Sequence, residues 1–415
     1  DEKPNVRCRL VAKEIKMYND DSLFAATPPL ESIKMLVAVA ASRRWRIVHI
    51  DIKRAYFNAK ALRDIYVELD EKDKINDKED MVGKLNYAMY GTRDAASSWE
   101  ACYTEVMKKA GFTQGTFTPC VFRKEETVVT VHGDDFTITG PDAGVEEITK
   151  HLSTTFGVKV QELDPRAAGQ ELIVLNRRIV VTEEGYKYEP DGKHTQKVLR
   201  ELGLDGDDCK GSSVTGVKAT ADDEELADRK LNEERSSWYR SVAATLNYMA
   251  LDRPDLGFAV KEICRSMSAP SELDLVKLKK LGRYLVEVGN ISTVFQWRCA
   301  VQRVDGYSDS DYAGCSSKRT STSGGVIMMG GTVIKSWSKQ QKVVALSSGE
   351  AELYAAVKLG CEMIGIKSLA QDFGIAVELH MYLDAKATIG MLSRRGAGNM
   401  KHVATNQFWL QHAVA

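Results

Sequence analysis

The stretch T-V-V-T-V-H-G-D-D-F-T-I-T, residues 127–139, decides the fold of the first part of the chain. Two apolar runs rich in β-branched residues flank a Gly-Asp-Asp triplet, a pattern typical of two antiparallel strands joined by a tight turn. Gly133 permits the tight backbone, so Asp134 and Asp135 are predicted to lie at the tip of a hairpin. Taken alone, such a triplet is usually no more than a hairpin turn.

A further carboxylate is predicted at the end of an earlier strand. Residues 45–52, W-R-I-V-H-I-D-I, contain alternating apolar side chains and indicate a strand that ends near Asp51. Residues 32–41 and 97–109 have the pattern of helices, and Gly111 supplies a stop signal after the second. Transfer of a nucleotide by two Mg²⁺ ions requires carboxylates on neighbouring rigid elements, because Mg²⁺ prefers a few carboxylates together with phosphate oxygens and water.

Four segments of the chain resemble motifs of copia-type reverse transcriptases, in the order and at the spacing of that family. They are R-C-R-L-V-A-K (7–13), H-I-D-I-K-R-A-Y-F-N-A (49–59), L-N-Y-A-M-Y-G-T-R-D-A-A-S-S-W (85–99) and V-H-G-D-D-F-T-I-T-G (131–140). The resemblance implies the Pol polyprotein of a copia-type (Pseudoviridae-like) LTR retrotransposon, with its reverse transcriptase and ribonuclease H regions.

The resemblance assigns roles to the first set of carboxylates. Asp51 and Asp134 match the main metal ligands of the family's polymerase, and Asp135 lies beside them. The Tyr and Val that precede the family's aspartate pair are replaced here by His132 and Gly133. These replacements are compatible with a hairpin, so the metal site itself is expected to be complete.

Other matched positions are candidates for contacting the nucleotide. Tyr56 matches the family's sugar-gate aromatic, whose ring excludes a ribose 2′-hydroxyl, although from the residues alone a packed core aromatic is the simpler interpretation. Arg9 and Lys13 are candidates for binding the triphosphate, and solvated surface charges explain them equally well. Asp94 and Ala96 replace the family's Gln and Pro, and Asp94 brings an unexpected negative charge near the nucleotide.

The last part of the chain predicts a second carboxylate site. From residue 305 the pattern indicates three strands, a helix, a strand and a helix, the element order of an RNase H-like domain. Asp309 lies on the first strand in G-Y-S-D-S-D-Y-A-G, Glu352 on the helix in A-L-S-S-G-E-A-E-L-Y-A-A, and Asp384 ends the strand in M-Y-L-D-A-K-A. The first two segments, with S-T-S-G at 321–324, resemble the RNase H domain of the same family. Paired metal ions would activate a water against a phosphodiester there.

Physical arguments distinguish the expected metal ligands from neighbouring acids. Ser347-Ser-Gly-Glu350 fits a capping box, in which Glu350 has a structural task. Glu352 lies on the helical face that is expected to pack on the sheet, where a carboxylate is costly unless it meets a cation. Asp309 is preferred to Asp311, because Asp311 lies nearer the following loop.

One departure weakens the nuclease prediction. The family ends a K-H-I-D run with a fourth acid, whereas this chain has Lys401, His402, Val403 and Ala404. Ala404 has no ligand atom, and a His402 nitrogen is a poor substitute because Mg²⁺ prefers oxygen. We therefore predict impaired or absent RNase H activity.

The predicted fold class is α+β. A right-hand polymerase with fingers and palm (1–160) precedes a helical thumb or connection region (161–300) and an RNase H-like α/β domain with a mixed sheet (301–415). Residues 238–289 are predicted to be mostly helical, with a break at Arg-Pro-Asp (253–255). Residues 160–230 are interpreted as mixed, loop-rich surface or linker.

Bulk composition constrains the function only loosely. The chain has 57 Lys and Arg against 58 Asp and Glu, so the total gives no sign of a basic nucleic-acid binder, although an acidic site and a basic groove cancel in such a sum. Eight scattered cysteines without a C-x-x-C pair indicate reduced thiols of an intracellular protein. No apolar run is long enough for a membrane span or signal peptide. Because regular sequence begins almost at Asp1, the chain is expected to be a piece of a longer polyprotein.

The expected function is RNA-directed DNA polymerisation with Mg²⁺, or Mn²⁺ in its place, and an impaired RNase H. The expected partners are an RNA template, a DNA or tRNA primer, dNTPs, an RNA–DNA hybrid, and other Pol and capsid components. The expected location is the cytoplasm, within a virus-like particle, and the nucleus. The alternative is a decayed or co-opted remnant that binds nucleic acid without catalysis; a stand-alone nuclease leaves the first 140 residues unexplained.

Overall fold

The computed structural model divides the chain into two compact units. The first consists of Asp1–Leu36, Trp45–Asp164 and Leu369–Ile375, and the second of Val37–Arg44, Pro165–Ser368 and Ala376–Ala415. The residues that the structure describes are 10–15, 25–69, 81–206, 208–217, 220, 222–315, 318–396, 398 and 402–414. The predicted triphosphate residue Arg9 lies outside them.

The first unit is built on an antiparallel sheet. Its helices are α1 Leu30–Arg43, which begins in this unit, α2 Ala95–Lys109 and α3 Asp142–Thr155. Its strands are β1 Ile47–Ile52, β2 Tyr66–Glu68, β3 Val82–Lys84, β4 Thr113–Gln114, β5 Val121–Lys124, β6 Thr127–His132, β7 Asp135–Thr139 and β8 Val158–Leu163. Six of them form one sheet in the order β4-β5-β6-β7-β1-β8, and β2 pairs with β3. The helices and strands predicted for this unit are confirmed.

One face of the six-stranded sheet packs against α2 and α3, because apolar side chains alternate along its strands. Val48, Ile50 and Ile52 of β1 are buried in the same cluster as Phe136 and Ile138 of β7. The helices contribute the buried residues Trp99, Tyr103, Met107, Val145, Ile148 and Leu152. Burial of each large side chain contributes about 1.5–3 kcal/mol. A slip of β1 by one residue would expose this set, so the core fixes the register on which the site depends.

The carboxylate of Asp372 connects Leu369–Ile375 to another part of the first unit. Asp372 accepts hydrogen bonds from the backbone amides of Thr116, Phe117 and Thr118, at 2.9, 3.1 and 2.7 Å. The Asp372 residue is 9% exposed. Hydrogen bonds to a charged acceptor are stronger than neutral ones, so this contact stabilises the 116–118 loop.

The middle of the chain forms a second antiparallel sheet and a helical layer. Its strands are β9 Glu171–Val174, β10 Arg177–Val181, β11 Gly185–Glu189 and β12 Thr293–Gln296, in the order β12-β11-β10-β9. Its helices are α4 Gly192–Glu201, α5 Asp223–Asp228, α6 Glu233–Met249, α7 Gly257–Arg265 and α8 Glu272–Val288. The predicted helices across 238–289 are confirmed, with a 3-10 turn at Pro254–Leu256 in the predicted break.

The prediction that residues 160–230 are loop-rich surface or linker is wrong for much of that segment, and the region after residue 160 is not purely helical. Ile179, Tyr186 and Tyr188 are almost fully buried within β10 and β11. The turn between β9 and β10 contains Leu175 and Asn176, both with positive φ. Because leucine rarely adopts that conformation, the sequence gives no local indication of this hairpin.

The end of the second unit contains the mixed sheet. Its strands are β13 Arg303–Asp311, β14 Thr322–Met329, β15 Thr332–Gln340 and β16 Glu378–Tyr382, in the order β15-β14-β13-β16. Its helices are α9 Ser348–Asp372, α10 Lys386–Leu392 and α11 Leu410–Val414. β13 pairs antiparallel with β14 and parallel with β16. The predicted order of three strands, helix, strand and helix is confirmed.

Two further expectations concern the whole chain. No helix within the described ranges is long and apolar enough to cross a membrane. The seven cysteines that the structure describes are all free thiols, as the scattered pattern predicts, and Cys8 lies outside the described residues.

Candidate active sites

The Gly-Asp-Asp triplet forms the predicted hairpin turn between β6 and β7. His132 pairs with Asp135 at the end of the hairpin, which leaves Gly133 and Asp134 as the two turn residues. Gly133 has a φ of 65°, which glycine adopts without strain. The side chain of Asp134 is exposed, whereas Asp135 is half-buried. The turn therefore presents two adjacent carboxylates with different surroundings.

Asp51 lies directly beside this hairpin. In the antiparallel pairing of β1 with β7, Asp51 is the register partner of Asp135, so both carboxylates lie on the same face of the sheet. His49, two residues earlier on that face, places its Nε2 3.2 Å from a carboxylate oxygen of Asp135. The amide of Ile52 also donates to the carbonyl of Asp134 at 2.9 Å. The strand register thus brings Asp51 and Asp135 together as predicted.

The polymerase acids do not form a compact trio. Within the described part of the chain, only one group of three acidic, histidine or cysteine side chains has ligand atoms that all lie within 4.8 Å, and it is in the second unit. Asp51, Asp134 and Asp135 therefore present an open carboxylate surface. The ligand roles of these three residues stay a prediction.

The middle of the motif segments, residues 85–99, contacts the turn through Trp99. Trp99 of α2 is 1% exposed, and its indole Nε1 donates a hydrogen bond of 2.8 Å to the carbonyl of Gly133. The indole ring also packs against Tyr103 and Phe136 in edge-to-face geometry. In the sequence Trp99 is distinguished only as the last residue of a motif, whereas in the structure its hydrogen bond fixes the position of the turn.

Tyr56 is half-buried in a 3-10 helix, Ala55–Asn58, that follows β1. Its ring lies 4.6 Å from the ring of Tyr90, between centroids, and Phe57 contacts Tyr90 edge-on at 5.6 Å. Tyr56 also packs against the core of the first unit. The ring is therefore held in place by its neighbours, which both interpretations of Tyr56 require.

The segment that carries Lys13 is fixed to the start of α2. The Ala12 amide donates to the Tyr90 carbonyl at 2.7 Å, and Glu14 accepts a 2.7 Å hydrogen bond from the amide of Arg93. Lys13 itself is exposed. Gly91, with a φ of 94°, allows this approach, because an added Cβ would lie 1.8 Å from the carbonyl oxygen of Ala12.

The unexpected charge of Asp94 has a partner. Arg63 places Nε 3.3 Å from one carboxylate oxygen of Asp94, which is 1% exposed. The same guanidinium donates to both oxygens of Glu14 at 2.8 and 2.6 Å. The hydrogen bond from Arg63 lowers the pKa of Glu14. Asp94 is thus neutralised within a Glu14–Arg63–Asp94 network, which the sequence pattern did not indicate.

The second unit brings together the three acids that were predicted for a nuclease. Asp309 at the end of β13, Glu352 in the first turns of α9 and Asp384 after β16 each offer an oxygen, and these atoms lie within 4.8 Å of one another. Asp309 and Asp384 are exposed. We call these residues the acid trio. Asp311, the rejected alternative, is not among them.

Glu352 is the most enclosed member of the acid trio. It is 9% exposed and accepts hydrogen bonds from the amide and the hydroxyl of Ser310 at 3.0 and 2.8 Å. Burial raises the pKa of Glu352, and the charges of Asp309 and Asp384 add to this effect. Three carboxylates this close repel one another, and a divalent cation bound among them would offset that repulsion.

Glu350 has the structural role predicted for it, with a difference in its partners. The Glu350 amide donates to the hydroxyl of Ser347 at 3.2 Å, as in a capping box, but the carboxylate accepts from the amide of Leu346 at 2.9 Å. The same carboxylate contacts His402 Nε2 at 3.0 Å and Tyr354 at 3.1 Å. His402 is therefore engaged with Glu350 and is not a member of the acid trio, so its suggested role as a substitute ligand has no support.

Ala404, at the position of the family's fourth acid, is exposed. It precedes a 3-10 helix, Thr405–Phe408, and follows the buried Val403.

The donor set at the acid trio consists of carboxylate oxygens alone, which suits Mg²⁺ or Mn²⁺ better than a soft metal. Asp51 and Asp135 also offer oxygens, so both sites fit a hard divalent cation.

The sequence is similar to known reverse transcriptases and retrotransposon polyproteins. The family model of reverse transcriptase (RNA-dependent DNA polymerase) matches residues 3–173. Over 98% of its length the chain is 26% identical to the retrovirus-related Pol polyprotein from transposon TNT 1-94 of Nicotiana tabacum, and 28% identical to that from transposon RE1 of Arabidopsis thaliana. The chain spans 31% and 28% of the lengths of these two relatives.

Proposed function

Because the chain belongs to the copia-type retrotransposon Pol family and carries its reverse transcriptase domain, we propose that it is an RNA-directed DNA polymerase with a C-terminal ribonuclease H domain. The observation that carries the polymerase proposal is the register of β1 with β7, which sets Asp51 against Asp135 beside the Asp134 turn. The names of the relatives support the same activity.

In this proposal Asp51, Asp134 and Asp135 hold Mg²⁺, or Mn²⁺ in its place. The ion, when bound, would favour ionisation of the primer 3′-hydroxyl and neutralise the triphosphate of the incoming dNTP. The residues of the chain contribute by holding these carboxylates in position. Trp99 fixes the turn through its hydrogen bond to Gly133, and strand pairing fixes Asp51. Pre-organised charges of this kind need no reorganisation during the reaction.

Tyr56 is proposed to select the sugar. Its ring is braced by Tyr90, so a 2′-hydroxyl that met the ring would not be accommodated by rotation of the side chain. Lys13 is exposed on a segment tied to Tyr90 and Arg93, and we propose that it contacts the triphosphate together with Arg9. The template is RNA and the primer DNA or tRNA.

The acid trio is proposed to cleave the RNA strand of an RNA–DNA hybrid. Asp309, Glu352 and Asp384 would hold a divalent cation, and their closeness supports this role. Ala404 leaves the set one acid short of the family pattern, so we propose that cleavage is impaired. We further propose that the protein works with other Pol and capsid components in a cytoplasmic virus-like particle and in the nucleus.

Primer extension tests the polymerase proposal. The full chain is incubated with an RNA template, a labelled DNA primer, dNTPs and Mg²⁺, beside Asp134→Ala and the matched variant Glu126→Ala. Glu126 is an exposed acid at the other end of the same hairpin. We expect extension by the unmodified chain and by Glu126→Ala, and none by Asp134→Ala.

The same assay tests the alternative, a remnant that binds nucleic acid without catalysis. Ala404 and the open arrangement of the polymerase acids favour that alternative. Absence of extension by all three proteins, together with retained binding of the primer–template, would establish it. Equal extension by the unmodified chain and Asp134→Ala would refute the assignment of the turn.

A further inference from the structure

We propose that a cleft next to the acid trio binds a single-stranded stretch of RNA, an inference that rests on the proposed nuclease function. The cleft has a volume of about 900 Å³. One wall is the sheet surface of β13, β14 and β15, and the other is α7 with the end of α6. We call it the α7 cleft. All of its walls belong to the second unit.

The α7 cleft is continuous with the acid trio. Asp309 is one of the residues that line it, together with Tyr307, two residues earlier on the same face of β13. Successive residues on one face of a strand are about 7 Å apart. An RNA strand with one phosphate at Asp309 therefore has its neighbouring nucleotide beside the ring of Tyr307.

Aromatic rings line the α7 cleft on opposite walls. Phe258 of α7 is 54% exposed and Tyr307 of β13 is 44% exposed, so both rings present part of their surface to the cleft. Tyr307 is held by stacking on Tyr382, with ring centroids 4.9 Å apart and planes 12° from parallel. Exposed, fixed rings beside a backbone-binding surface are the usual platform for unpaired bases.

Two lysines and the carboxylates of Asp309 and Asp311 line the α7 cleft. Lys261 lies with its Nζ 4.3 Å from the centre of the Phe258 ring and donates to the Thr322 hydroxyl at 2.9 Å. It also pairs with Glu262 at 2.5 Å, so its charge is largely balanced. Lys339 is exposed at the cleft and has no ion-pair partner among the described residues. Lys339 is therefore the group expected to contact a phosphate.

A glycine keeps the α7 cleft open next to the acid trio. Gly324 of β14 is the register partner of Asp309, and an added Cβ would meet only the Asp309 carbonyl oxygen, at 3.8 Å. Its neighbour Gly325 differs, because a Cβ there would lie 2.1 Å from the ring of Trp337. Gly324 does not have a positive φ. The backbone conformation therefore does not require glycine at position 324, and the missing side chain leaves space in the cleft.

The size and the lining of the α7 cleft together indicate what it holds. At about 900 Å³ it lies near the upper end of the range of about 300–1,000 Å³ for small-ligand pockets, a size that suits one or a few nucleotides. Stacking surfaces and one free lysine suit an unpaired strand, whose bases are accessible, better than a duplex, whose bases are stacked on each other.

Photo-crosslinking tests this inference. Single-stranded RNA carrying 4-thiouridine is irradiated with the full chain in the presence of Ca²⁺, and the adducts are mapped by mass spectrometry. We expect adducts on the peptides that contain Phe258 and Tyr307. In Gly324→Val these adducts should fall about tenfold, as expected for loss of one stacked base, while adducts in the first unit stay unchanged as an internal reference.

The control variant is Gly365→Ala, at a helical position of α9 where an added Cβ meets no neighbouring atom. Its adducts should match those of the unmodified chain. Neither variant should unfold earlier than the unmodified chain, because glycine inside a helix or strand costs about 0.5–1 kcal/mol relative to alanine. Adducts on Phe258 and Tyr307 that persist in Gly324→Val, or that form only with an RNA–DNA duplex, would overturn the proposal. Hybrid cleavage is measured separately, in Ala404→Asp as well as in the unmodified chain, so adducts without cleavage by either protein would refute the nuclease proposal alone.

Discussion

The indole N–H of Trp99 donates a 2.8 Å hydrogen bond to the carbonyl of Gly133, in the turn that presents Asp134. The donor is buried in the core and the acceptor lies at the exposed tip of the hairpin. The contact spans 34 residues of sequence, from the start of α2 to the turn. It connects the packing of the first unit to the position of its candidate catalytic residues.

Replacing Trp99 tests this connection. Trp99→Phe removes the donor and part of the buried ring, and we expect a loss of about 2–3 kcal/mol in the free energy of unfolding. Primer extension should fall further than the unfolded fraction explains, because the turn loses its anchor. Tyr103→Phe, a conservative change in the ring that packs on the same indole, is the control. Equal extension per folded molecule in both variants would show that the hydrogen bond has no positioning role.

The Glu14–Arg63–Asp94 network makes a second prediction. Arg63→Met leaves Asp94 buried without its cation, which is expected to cost about 3 kcal/mol of stability. Adding Asp94→Asn removes the uncompensated charge, so the double variant should recover most of that loss in urea unfolding. A double variant no more stable than Arg63→Met would contradict the pairing. Because Glu14 adjoins Lys13, both variants should also raise the KM for dNTP.

The sequence predicted the elements whose patterns are local. The hairpin of β6 and β7 follows from β-branched runs around a turn, and Glu352 follows from the apolar face that it shares with Ala355, Ala356 and Leu359, all fully buried. In each case the signal lies within a few residues and has a single periodicity. The choice of Glu352 over Glu350 from the helical pattern therefore identified the glutamate that lies in the acid trio.

Features that depend on partners far apart in the chain could not be predicted from the sequence. β12 joins β11 from about 100 residues further along the chain, so nothing local marks that sheet. The cation that balances Asp94 is Arg63, in an irregular segment with no periodicity. Asp372 binds amides 254–256 residues earlier. Such contacts are set by the tertiary fold, and a single sequence gives no means of pairing them.

The pH dependence of stability should report on Glu352. Burial raises its pKa, so its contribution to stability is present below the unfolded-state pKa and is lost as the pH rises through the folded-state pKa. In metal-free protein, Glu352→Gln should therefore raise the melting temperature, by more at neutral than at acid pH. Mg²⁺ should stabilise the unmodified chain and not the variant. Glu234→Gln, an exposed acid of α6, is the control; a Mg²⁺ response lost in that control, or kept in Glu352→Gln, would contradict the site.

The contact of His402 with Glu350 predicts a loss of stability as the pH falls, which is opposite to the effect expected at Glu352. Burial opposes ionisation of Glu350, but hydrogen bonds from His402, Leu346 and Tyr354 outweigh it and lower its pKa. This stability is present above the unfolded-state pKa and is lost as the pH falls through the folded-state pKa. His402→Ala should cost about 1–2 kcal/mol at neutral pH in urea unfolding. The Mg²⁺ response should persist, and its loss would make His402 a ligand after all.

Ala404→Asp should restore the fourth acid of the nuclease. His402 is bound to Glu350, two residues before Glu352, so the segment with Ala404 starts at the same end of α9 as the acid trio. Ala404 is exposed and precedes a 3-10 helix, a position that accepts Asp readily, so the fold should be unaffected. We expect cleavage of an RNA–DNA hybrid to rise at least about tenfold, because even residues outside the ligand set change the activity of a metal site by about 10–100-fold. Ala404→Asn, which adds the same bulk without charge, should cleave like the unmodified chain. Full cleavage by the unmodified chain, unchanged in both variants, would mean that three carboxylates suffice.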